Sequence, residues 1–461
     1  MKSIHLKSII LTILLSMTIG FAQKQLPPEG SQPRDFVLPA KETFTLDNGL
    51  KVTLVQYGNV PKVNVSFVIR GGNINESETE IWLADLTADY LKEGTRTRTA
   101  KEIAESAAQI GGWINAASGL DQITVSGESL AEYAPDLVTL LADVLMNPGF
   151  PDTELERLKN NFLRNLQVQK SQPQSLAQEQ FHKVLYADHP YGRVFPTEDM
   201  IKGYSVDQVK KFYQANFGAR RTHVYIVGMF DTEKVKSTIQ KNLNTWNQGE
   251  PFNGALPKPL SERMIYMVDR TGSTQSTIIL GLPVIDPTSS DYIPLVVTDA
   301  ILGGAFTSRI TSNIREDKGY TYSPFSQVSV HFRDAYWAEN ASVGVDVTGA
   351  SLKEIFYEID RMQKEPPSEK ELKGVQNYLA GIFVLRNSSR NGIIGQLSFM
   401  DLHGLDDTYL SSYVKKVYQL TPAEVQQMVR TYLLPDKMTI VIVGDAKKVK
   451  SQVSSYGKVV M

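Results

Sequence analysis

Cysteine is absent from the 461 residues of this chain. The absence excludes disulfide bonds, and it also excludes a lipid anchor attached through cysteine, so stability must come from packed cores. Hydrophobic residues make up 42% of the chain and charged residues 21%, which is ordinary for a globular protein. A chain of this length is too long for one core, and we expect two to four domains.

An excess of basic residues is also absent. The chain has 48 Lys and Arg side chains against 50 Asp and Glu side chains, which gives a formal net charge of −2. A balance of this kind offers no general attraction to nucleic acid or to an anionic membrane surface. We therefore expect neither nucleic acid nor a membrane surface among the partners.

The first residues, Met1–Ala22, have the pattern of a secretory signal peptide. Two lysines precede the apolar run Ile9–Leu15, and the small residues Gly20 and Ala22 stand near the expected cleavage position. The apolar run is too short to cross a membrane, and we expect no membrane span. The pattern predicts an exported protein, for which a bacterial periplasm fits best and secretion to the medium is less favoured.

Histidine is scarce, and its positions include no pair three or four residues apart. Two histidines four residues apart lie on one helical face, where both can reach a single zinc ion. The sequence therefore lacks the usual helical zinc motif, and nothing in it points to a relocated zinc site. The six histidines are His5, His182, His189, His223, His331 and His403.

Two parts of the chain repeat each other. Val209 and Val425 lie in similar amphipathic helical segments, 216 positions apart (425 minus 209). Gly228 and Gly444, which end similar apolar strands, have the same offset (444 minus 228). An offset this steady across separate elements indicates a duplication.

Each of the two halves mixes predicted strands with helices of ordinary length, so each is predicted to be α+β. Ser368 and Glu371 have the spacing of a capping box and predict the start of a helix. The stretch 247–261 is rich in proline and glycine, which is typical of a linker. This divides the mature chain into domains at 40–246 and 262–461.

Residues 80–95, EIWLADLTADYLKEGT, resemble the helix that carries the inverted H-x-x-E-H zinc motif of pitrilysin/insulinase-type metallopeptidases. Aligned on the shared Gly-Thr pair, Asp85, Ala88 and Asp89 take the places of His, Glu and His. The family's third ligand, a downstream Glu, aligns with Asn165. The resemblance covers nearly the whole mature chain. It implies a processing-peptidase-like fold of two homologous α/β-sandwich halves.

These substitutions predict that the chain cannot use zinc by itself. Asp side chains are short and suit harder cations than zinc, and the Ala88 methyl group cannot accept a proton from a zinc-bound water. Asp85 and Asp89 are expected to form an ordinary solvated helix face, with a weak site for another cation as the alternative. No metal site and no cofactor are predicted in this chain.

The segment Trp113, Ile114, Asn115 and Ala116 follows a Gly-Gly pair and resembles the edge strand of the family. In that family the edge strand pairs with extended substrate. Backbone N–H and C=O groups on an open edge can bind an extended peptide largely irrespective of its sequence. The alternative is an ordinary strand that follows a Gly-Gly bend.

Arg315 and Tyr322 resemble the Arg and Tyr, seven residues apart, that complete the active site of the family from the other half of the assembly. The forked donors of Arg and the Tyr hydroxyl could hold a substrate carbonyl or the oxyanion formed in hydrolysis. The alternative is that Arg315 pairs with a carboxylate while Tyr322 packs on its sheet. Ile301–Arg309 resembles the family's glycine-containing loop, expected to allow close backbone approach or to act as a mobile cover.

Lost zinc positions beside a retained Arg/Tyr pair are the pattern of the non-catalytic subunit in heterodimeric members of this family. The resemblance implies a chain that binds and orients peptide substrate for a zinc-bearing partner of the same family. The alternative is a zinc-free binding or scaffold protein of an envelope complex. A separate Ser or Asp hydrolase is disfavoured, because the sequence has no G-x-S-x-G elbow.

Overall fold

The computed structural model describes residues 36–461, so the predicted signal peptide, Met1–Ala22, lies outside the described residues. The described part of the chain contains two six-stranded sheets. The strands are β1 (Lys41–Thr45), β2 (Lys51–Gln56), β3 (Lys62–Arg70), β4 (Trp113–Ser118), β5 (Gln122–Leu130), β6 (Thr222–Gly228), β7 (Met264–Asp269), β8 (Gln275–Val284), β9 (Phe325–His331), β10 (Asp334–Gly344), β11 (Thr439–Gly444) and β12 (Lys458–Val460).

The α-helices follow the strands in a similar order in the two halves. They are α1 (Leu83–Tyr90), α2 (Ala100–Gln109), α3 (Ala134–Met146), α4 (Leu155–Ser171), α5 (Pro173–Tyr186), α6 (Glu198–Gly203), α7 (Val206–Asn216), α8 (Thr232–Leu243), α9 (Tyr292–Asp299), α10 (Arg309–Thr311), α11 (Thr348–Lys364), α12 (Glu369–Arg386), α13 (Arg390–His403), α14 (Thr408–Gln419), α15 (Pro422–Tyr432) and α16 (Ala446–Val453). Two π-helical turns, Ala300–Gly304 and Ser312–Asp317, follow α9 and α10.

The two sheets have the same internal order. The first is β1-β2-β6-β3-β5-β4, and the second is β12-β7-β11-β8-β10-β9. In each, one parallel pair, β2 with β6 or β7 with β11, is followed by antiparallel pairing to the last strand. The outermost strands differ, since β1 is antiparallel to its neighbour and β12 is parallel. The predicted α+β fold of two homologous halves is confirmed.

Matching capping interactions begin the repeated helices. The hydroxyls of Ser205, before α7, and Thr421, before α15, each accept a hydrogen bond from the backbone N–H three residues later, both at 3.3 Å. The predicted capping box of Ser368 and Glu371 begins α12, where the Ser368 hydroxyl accepts from the Glu371 N–H at 3.2 Å. These caps satisfy amide groups that the first helical turn leaves without partners.

Helices of each half cover the sheet of the other half. Helices α12, α13 and α14 pack against the first sheet around Val68 and Tyr225. Helix α5 packs against the second sheet, where Phe181 and Leu185 lie near Val441. Because both of its faces are covered, β11 is buried at every residue and has the continuous apolar sequence TIVIVG instead of an alternating one.

Residues 247–262 contain no helix or strand, and yet they are held against the first half. The Leu260 N–H donates to the Leu185 carbonyl at 2.7 Å, and Arg221 Nε donates to the Glu250 carbonyl at 2.7 Å. These contacts fasten the connection between the sheets to the body of the protein. The linker limits at 247–261 and the domain limits derived from them stay a prediction.

One stretch of the described residues, Tyr292–Asp317, is long and apolar enough to cross a membrane by length and composition alone. Within the fold, 67% of its apolar window is buried. The stretch contains Leu295 and Ile310, which belong to the hydrophobic core of the second half. Its apolar character therefore matches that of a core segment.

Candidate functional site

Strand β4 is an open edge of the first sheet among the described residues. Its backbone pairs with β5 on one side, which leaves the N–H and C=O groups of the other side available for an added strand. Of the four predicted peptide-binding residues, Trp113 and Asn115 are exposed, Ile114 is half-buried and Ala116 is buried. The strand can therefore accept an extended peptide by β-augmentation.

The approach of β4 to β5 depends on two glycines. A Cβ added to Gly112 would lie 1.7 Å from the Glu128 carbonyl oxygen, so no other residue fits at this position without a shift of the backbone. Gly111 has a φ of +67°, in the left-handed region that favours glycine. The glycine pair thus places Trp113 at the start of the edge strand.

Helix α1, which carries the positions aligned with the zinc motif, packs against β4 and α7. Ala88 is 1% exposed and belongs to the hydrophobic core of the first half. Asp89 forms an ion pair with Lys92, in which Oδ1 lies 2.9 Å from Nζ. Asp85 Oδ2 accepts a hydrogen bond from Asn73 Nδ2 at 2.7 Å. Both carboxylates therefore have partners inside the chain.

The expectation of a solvated helix face is wrong for Asp85. Its side chain is half-buried, and burial raises the pKa of its carboxyl to about 6. The cause is the turn Asn73–Asn75, which lies against the start of α1 and donates to this carboxylate. Asp89, with 40% of its side chain exposed, does lie on the solvated side.

Glu76, which the sequence reasoning did not identify, organises the start of α1. Its Oε1 accepts from the Ala84 N–H at 2.8 Å, and its Oε2 accepts from the Trp82 N–H at 3.0 Å. Asn73 Nδ2 also donates to Oε1 at 3.1 Å. Burial and the neighbouring Asp85 raise the pKa of Glu76 to about 8. The carboxyl lies six to eight residues before the amides it caps, a spacing that no capping-box pattern contains.

The residues at this place do not fit a catalytic zinc ion. Such an ion needs nitrogen or carboxylate ligands, a free coordination position and a nearby proton acceptor. The Ala88 methyl group can be neither a ligand nor a proton acceptor. Asp85 and Asp89 are engaged as described above. Asn165 is exposed on α4, and its amide is neutral. Within residues 36–461, no group of three or more His, Cys, Asp or Glu side chains is placed to hold a metal ion.

The structure brings Arg315 and Tyr322 together, with Phe306 beside them. The guanidinium carbon of Arg315 lies 4.3 Å from the centre of the Phe306 ring and 5.3 Å from that of the Tyr322 ring. Tyr322 is 81% exposed, so it does not pack on its sheet as the alternative required. Arg315 Nε lies 3.4 Å from Glu316 Oε1, a contact with an exposed neighbour. Phe306 belongs to the glycine-containing segment Ile301–Arg309, for which the resemblance implied no contact with Arg315.

The segment that carries Arg315 is anchored from beneath. Arg309 donates to Glu371 through two parallel contacts, Nε to Oε1 at 2.8 Å and Nη2 to Oε2 at 2.9 Å. Asn313 Nδ2 donates to Glu358 Oε1 at 2.8 Å, and Ile314 is fully buried. The π-helical turn Ser312–Asp317 is thus fixed at its inner side, while the Arg315 side chain is half-buried and lies against the Phe306 and Tyr322 rings.

The two groups of residues could serve different parts of one task. The edge strand β4 offers backbone groups to an extended chain, and Arg315 with Tyr322 offers donors to a carbonyl or an oxyanion. No hydrogen bond or ion pair between described residues joins the α1 positions to Arg315 or Tyr322. Neither group contains a base placed to activate water.

Two consecutive parts of the chain match known family models. Residues 51–196, which include α1 and β4, match the model described as Insulinase (Peptidase family M16). Residues 204–379, which include Arg315 and Tyr322, match the model described as Peptidase M16 inactive domain. Both candidate groups of functional residues therefore lie inside matched segments.

Curated relatives are similar over most of their length. An uncharacterized zinc protease of Rickettsia bellii is 26% identical over 340 residues, which are 72% of this chain and 81% of the relative. A Helicobacter pylori protein named non-peptidase homolog YmxG is 24% identical over 458 residues, which are 96% of this chain and 100% of the relative. The similar proteins thus include some that are named proteases and one that is named a non-peptidase homolog.

Solved structures have the same fold. The crystal structure of a peptidase M16 inactive domain from Pseudomonas fluorescens is 25% identical, with a TM-score of 0.80, and the match covers 88% of this chain and 98% of that one. The crystal structure of a protease from Helicobacter pylori is 19% identical, with a TM-score of 0.81, and covers 88% and 100% of the two chains. The second likeness concerns the fold alone.

Proposed function

Because this chain belongs to the M16 peptidase family, we propose that it is the non-catalytic subunit of a two-chain zinc endopeptidase. A zinc-bearing chain of the same family would perform the cleavage, and this chain would bind and orient the peptide substrate. Zinc would then belong to the partner, with none held by this chain.

One observation carries the proposal: the hydrolytic positions are closed, while the substrate-holding positions are open. Ala88 is packed in the core at 1% exposure, and Asp85 is hydrogen-bonded to Asn73. In contrast, Tyr322 is 81% exposed, and Arg315 lies beside its ring. A chain arranged in this way can position a peptide, but its positions aligned with the zinc motif supply no group to generate a nucleophile from water.

The expected mechanism assigns a separate task to each open element. An extended peptide adds to the edge of β4, where backbone hydrogen bonds hold it without regard to sequence. Arg315 and Tyr322 donate to a carbonyl of the peptide, and their hydrogen bonds strengthen as negative charge develops on its oxygen. The Phe306 ring, stacked on the guanidinium, limits the positions that Arg315 can adopt.

The name of one relative supports a non-catalytic role. The match between this chain and the Helicobacter pylori protein named non-peptidase homolog covers the whole length of that protein. Other relatives, such as the Rickettsia bellii protein, are named zinc proteases, which agrees with a family that holds both kinds of chain. We also propose export to a bacterial periplasm, which the pattern of Met1–Ala22 supports.

The test is peptide turnover by a reconstituted pair of this chain and a zinc-bearing chain of the same family. Arg315→Ala should lower kcat by roughly a hundredfold to a thousandfold, the range seen when one donor to a developing oxyanion is removed. Lys318→Ala is the matched control, because Lys318 is an exposed cation three residues away on the same segment. It should leave turnover unchanged.

Equal turnover with wild-type chain and Arg315→Ala would remove the catalytic assignment and favour a zinc-free scaffold of an envelope complex. Turnover by this chain alone that is abolished by a chelator would overturn the proposal altogether. Tyr322→Phe separates the two contributions, since it removes the hydroxyl and keeps the ring next to Arg315.

A further inference from the structure

An aromatic cleft is lined by residues of the second half, and none of its lining residues belongs to α1 or β4. It is bounded by α9, the start of β9 and one side of α12, α13 and α14, and its volume is about 570 Å³. Phe325 and Tyr378, which are 44% and 47% exposed, stand at its mouth. Further rings line the interior. They are Phe383, Phe399, Tyr409 and Tyr413.

A single carboxylate faces the interior of this cleft. Asp299, at the end of α9, lines the cleft and is 8% exposed. Its Oδ1 accepts from the Ser326 hydroxyl at 2.5 Å and from Trp337 Nε1 at 2.7 Å. No described residue donates to its Oδ2. The hydrogen bonds to Oδ1 therefore hold the carboxylate in a fixed orientation, and Oδ2 is available to accept a hydrogen bond from a ligand.

The charged side chains that line this cleft are the Asp299 carboxylate and one arginine. Burial raises the pKa of Asp299 to about 6, so the group is mainly ionised at pH 7.5. Glu339 is fully buried, and burial together with the negative charge of Asp299 raises the pKa of Glu339 well above its usual range. Arg386, exposed at the end of α12, is the cation that lines the cleft.

We propose that this cleft binds an organic ammonium group carried on an apolar chain. Aromatic faces attract a cation through their quadrupoles, and a desolvated carboxylate at the inner end supplies a counter-charge and a hydrogen-bond acceptor. A neutral apolar ligand would cover Asp299 Oδ2 without pairing it, which costs free energy. An anion would meet the carboxylate directly. The chemistry therefore selects an alkylammonium, either a free amine or a lysine side chain of a peptide.

This site goes beyond the proposed function, because binding requires neither zinc nor a partner chain. Isothermal titration of the mature chain at pH 7.5 with hexylammonium, 1-hexanol and hexanoate tests it directly. Hexylammonium should bind most tightly. The alcohol can donate one hydrogen bond but carries no charge, so it should bind more weakly, and the acid should not bind. A lysine-containing tripeptide with blocked ends is the second arm. Its binding would identify a peptide as the source of the ammonium group, and its failure beside hexylammonium binding would identify a free amine.

Three variants separate the contributions. Asp299→Asn should weaken hexylammonium binding at least about tenfold, since it removes the charge and keeps the shape. Arg386→Gln, at an exposed position, should strengthen binding roughly twofold to fivefold by removing a repelling charge. Tyr357→Ala, on an exposed ring of α11 outside the cleft, is the control and should change nothing.

Trp337 supplies an independent readout, because its indole N–H donates to Asp299 and its ring is fully buried. A cation on this carboxylate should shift the Trp337 emission, and the shift should be lost in Trp337→Phe. Equal affinity for hexanol and hexylammonium would overturn the proposal. The absence of hexylammonium binding up to about 10 mM would also overturn it, because a dissociation constant above this value corresponds to less than about 3 kcal/mol of binding free energy. Unchanged binding in both Asp299→Asn and Arg386→Gln would also overturn it.

Discussion

Acid should loosen the contact between the two halves, because two buried histidines at that contact are uncharged. His182 lies on α5 of the first half, and its Nε2 is 3.1 Å from the Tyr336 hydroxyl on β10 of the second half. His331, on β9, is 8% exposed, and its Nε2 has no hydrogen-bond partner among the described residues. Burial lowers the pKa of His182 to about 4 and that of His331 to about 3.

The size of the effect follows from proton linkage. An unfolded histidine has a pKa of about 6.5, so below this pH the unfolded chain binds more protons than the folded chain does. The contribution of the two uncharged histidines to the free energy of unfolding is fully present above about pH 6.5. It is lost as the pH falls toward the pKa values of the folded chain. At pH 5, each buried histidine lowers the free energy of unfolding by roughly 2 kcal/mol relative to pH 7.

Asp334 acts in the opposite direction and makes a variant comparison necessary. Burial raises the pKa of Asp334 to about 6, so its protonation between pH 7 and pH 5 favours the folded chain. Urea unfolding of wild type and His331→Asn at the two pH values isolates one histidine, since Asp334 is present in both. The acid-induced loss of stability should be smaller in the variant by roughly 2 kcal/mol.

The control is His189→Asn, at a half-buried position, which should change the pH dependence less than His331→Asn does. The reasoning is refuted if wild type and His331→Asn lose equal stability between the two pH values. Such a result would mean that His331 is protonated in the folded chain or that its side chain is reached by water.

Three further substitutions test the site geometry. Ala88→Glu should destabilise the chain by about 3 kcal/mol or more, because it buries a carboxylate in the core, and the purified variant should still contain no stoichiometric zinc by elemental analysis. Gly112→Ala should lower the free energy of unfolding, measured in urea, by at least about 2 kcal/mol, because its Cβ would collide with the Glu128 carbonyl. A variant as stable as wild type would show that β4 can move away from β5. Arg309→Lys should lower the free energy of unfolding by roughly 1–3 kcal/mol, because one ammonium group cannot reproduce both contacts to Glu371. The same variant should exchange its amide hydrogens faster across residues 300–311. Unchanged exchange would show that the pair of Arg309 and Glu371 does not anchor this segment.

Repetition and capping patterns predicted the architecture well. The constant offset of 216 positions located equivalent helices and strands, because each half must bury the same faces to form the same sheet. The capping box of Ser368 and Glu371 predicted the start of α12, since its interactions are local in sequence. The exchange of helices between the halves has no such local signal, because it depends on contacts between distant segments.

Local patterns were less informative at the site. The resemblance paired Arg315 with Tyr322, and the two do lie together, but the π-helical turn that carries Arg315 has no period that distinguishes it in sequence. Asp85 was expected on a solvated face and is instead covered by Asn73, twelve residues earlier. Glu76 was missed for a similar reason, since its capping partners lie beyond any short motif. Side chains that come from another turn of the chain set these environments.

The most direct test of the central claim is an affinity purification of the tagged mature chain from its native cell envelope, with mass spectrometry and zinc analysis of the recovered complex. The account predicts a near-stoichiometric partner of the same family with an intact H-x-x-E-H helix, and about one zinc ion for each pair of chains. Recovery of this chain alone, with or without zinc, would contradict it. Recovery with unrelated envelope proteins and no zinc would favour a scaffold instead.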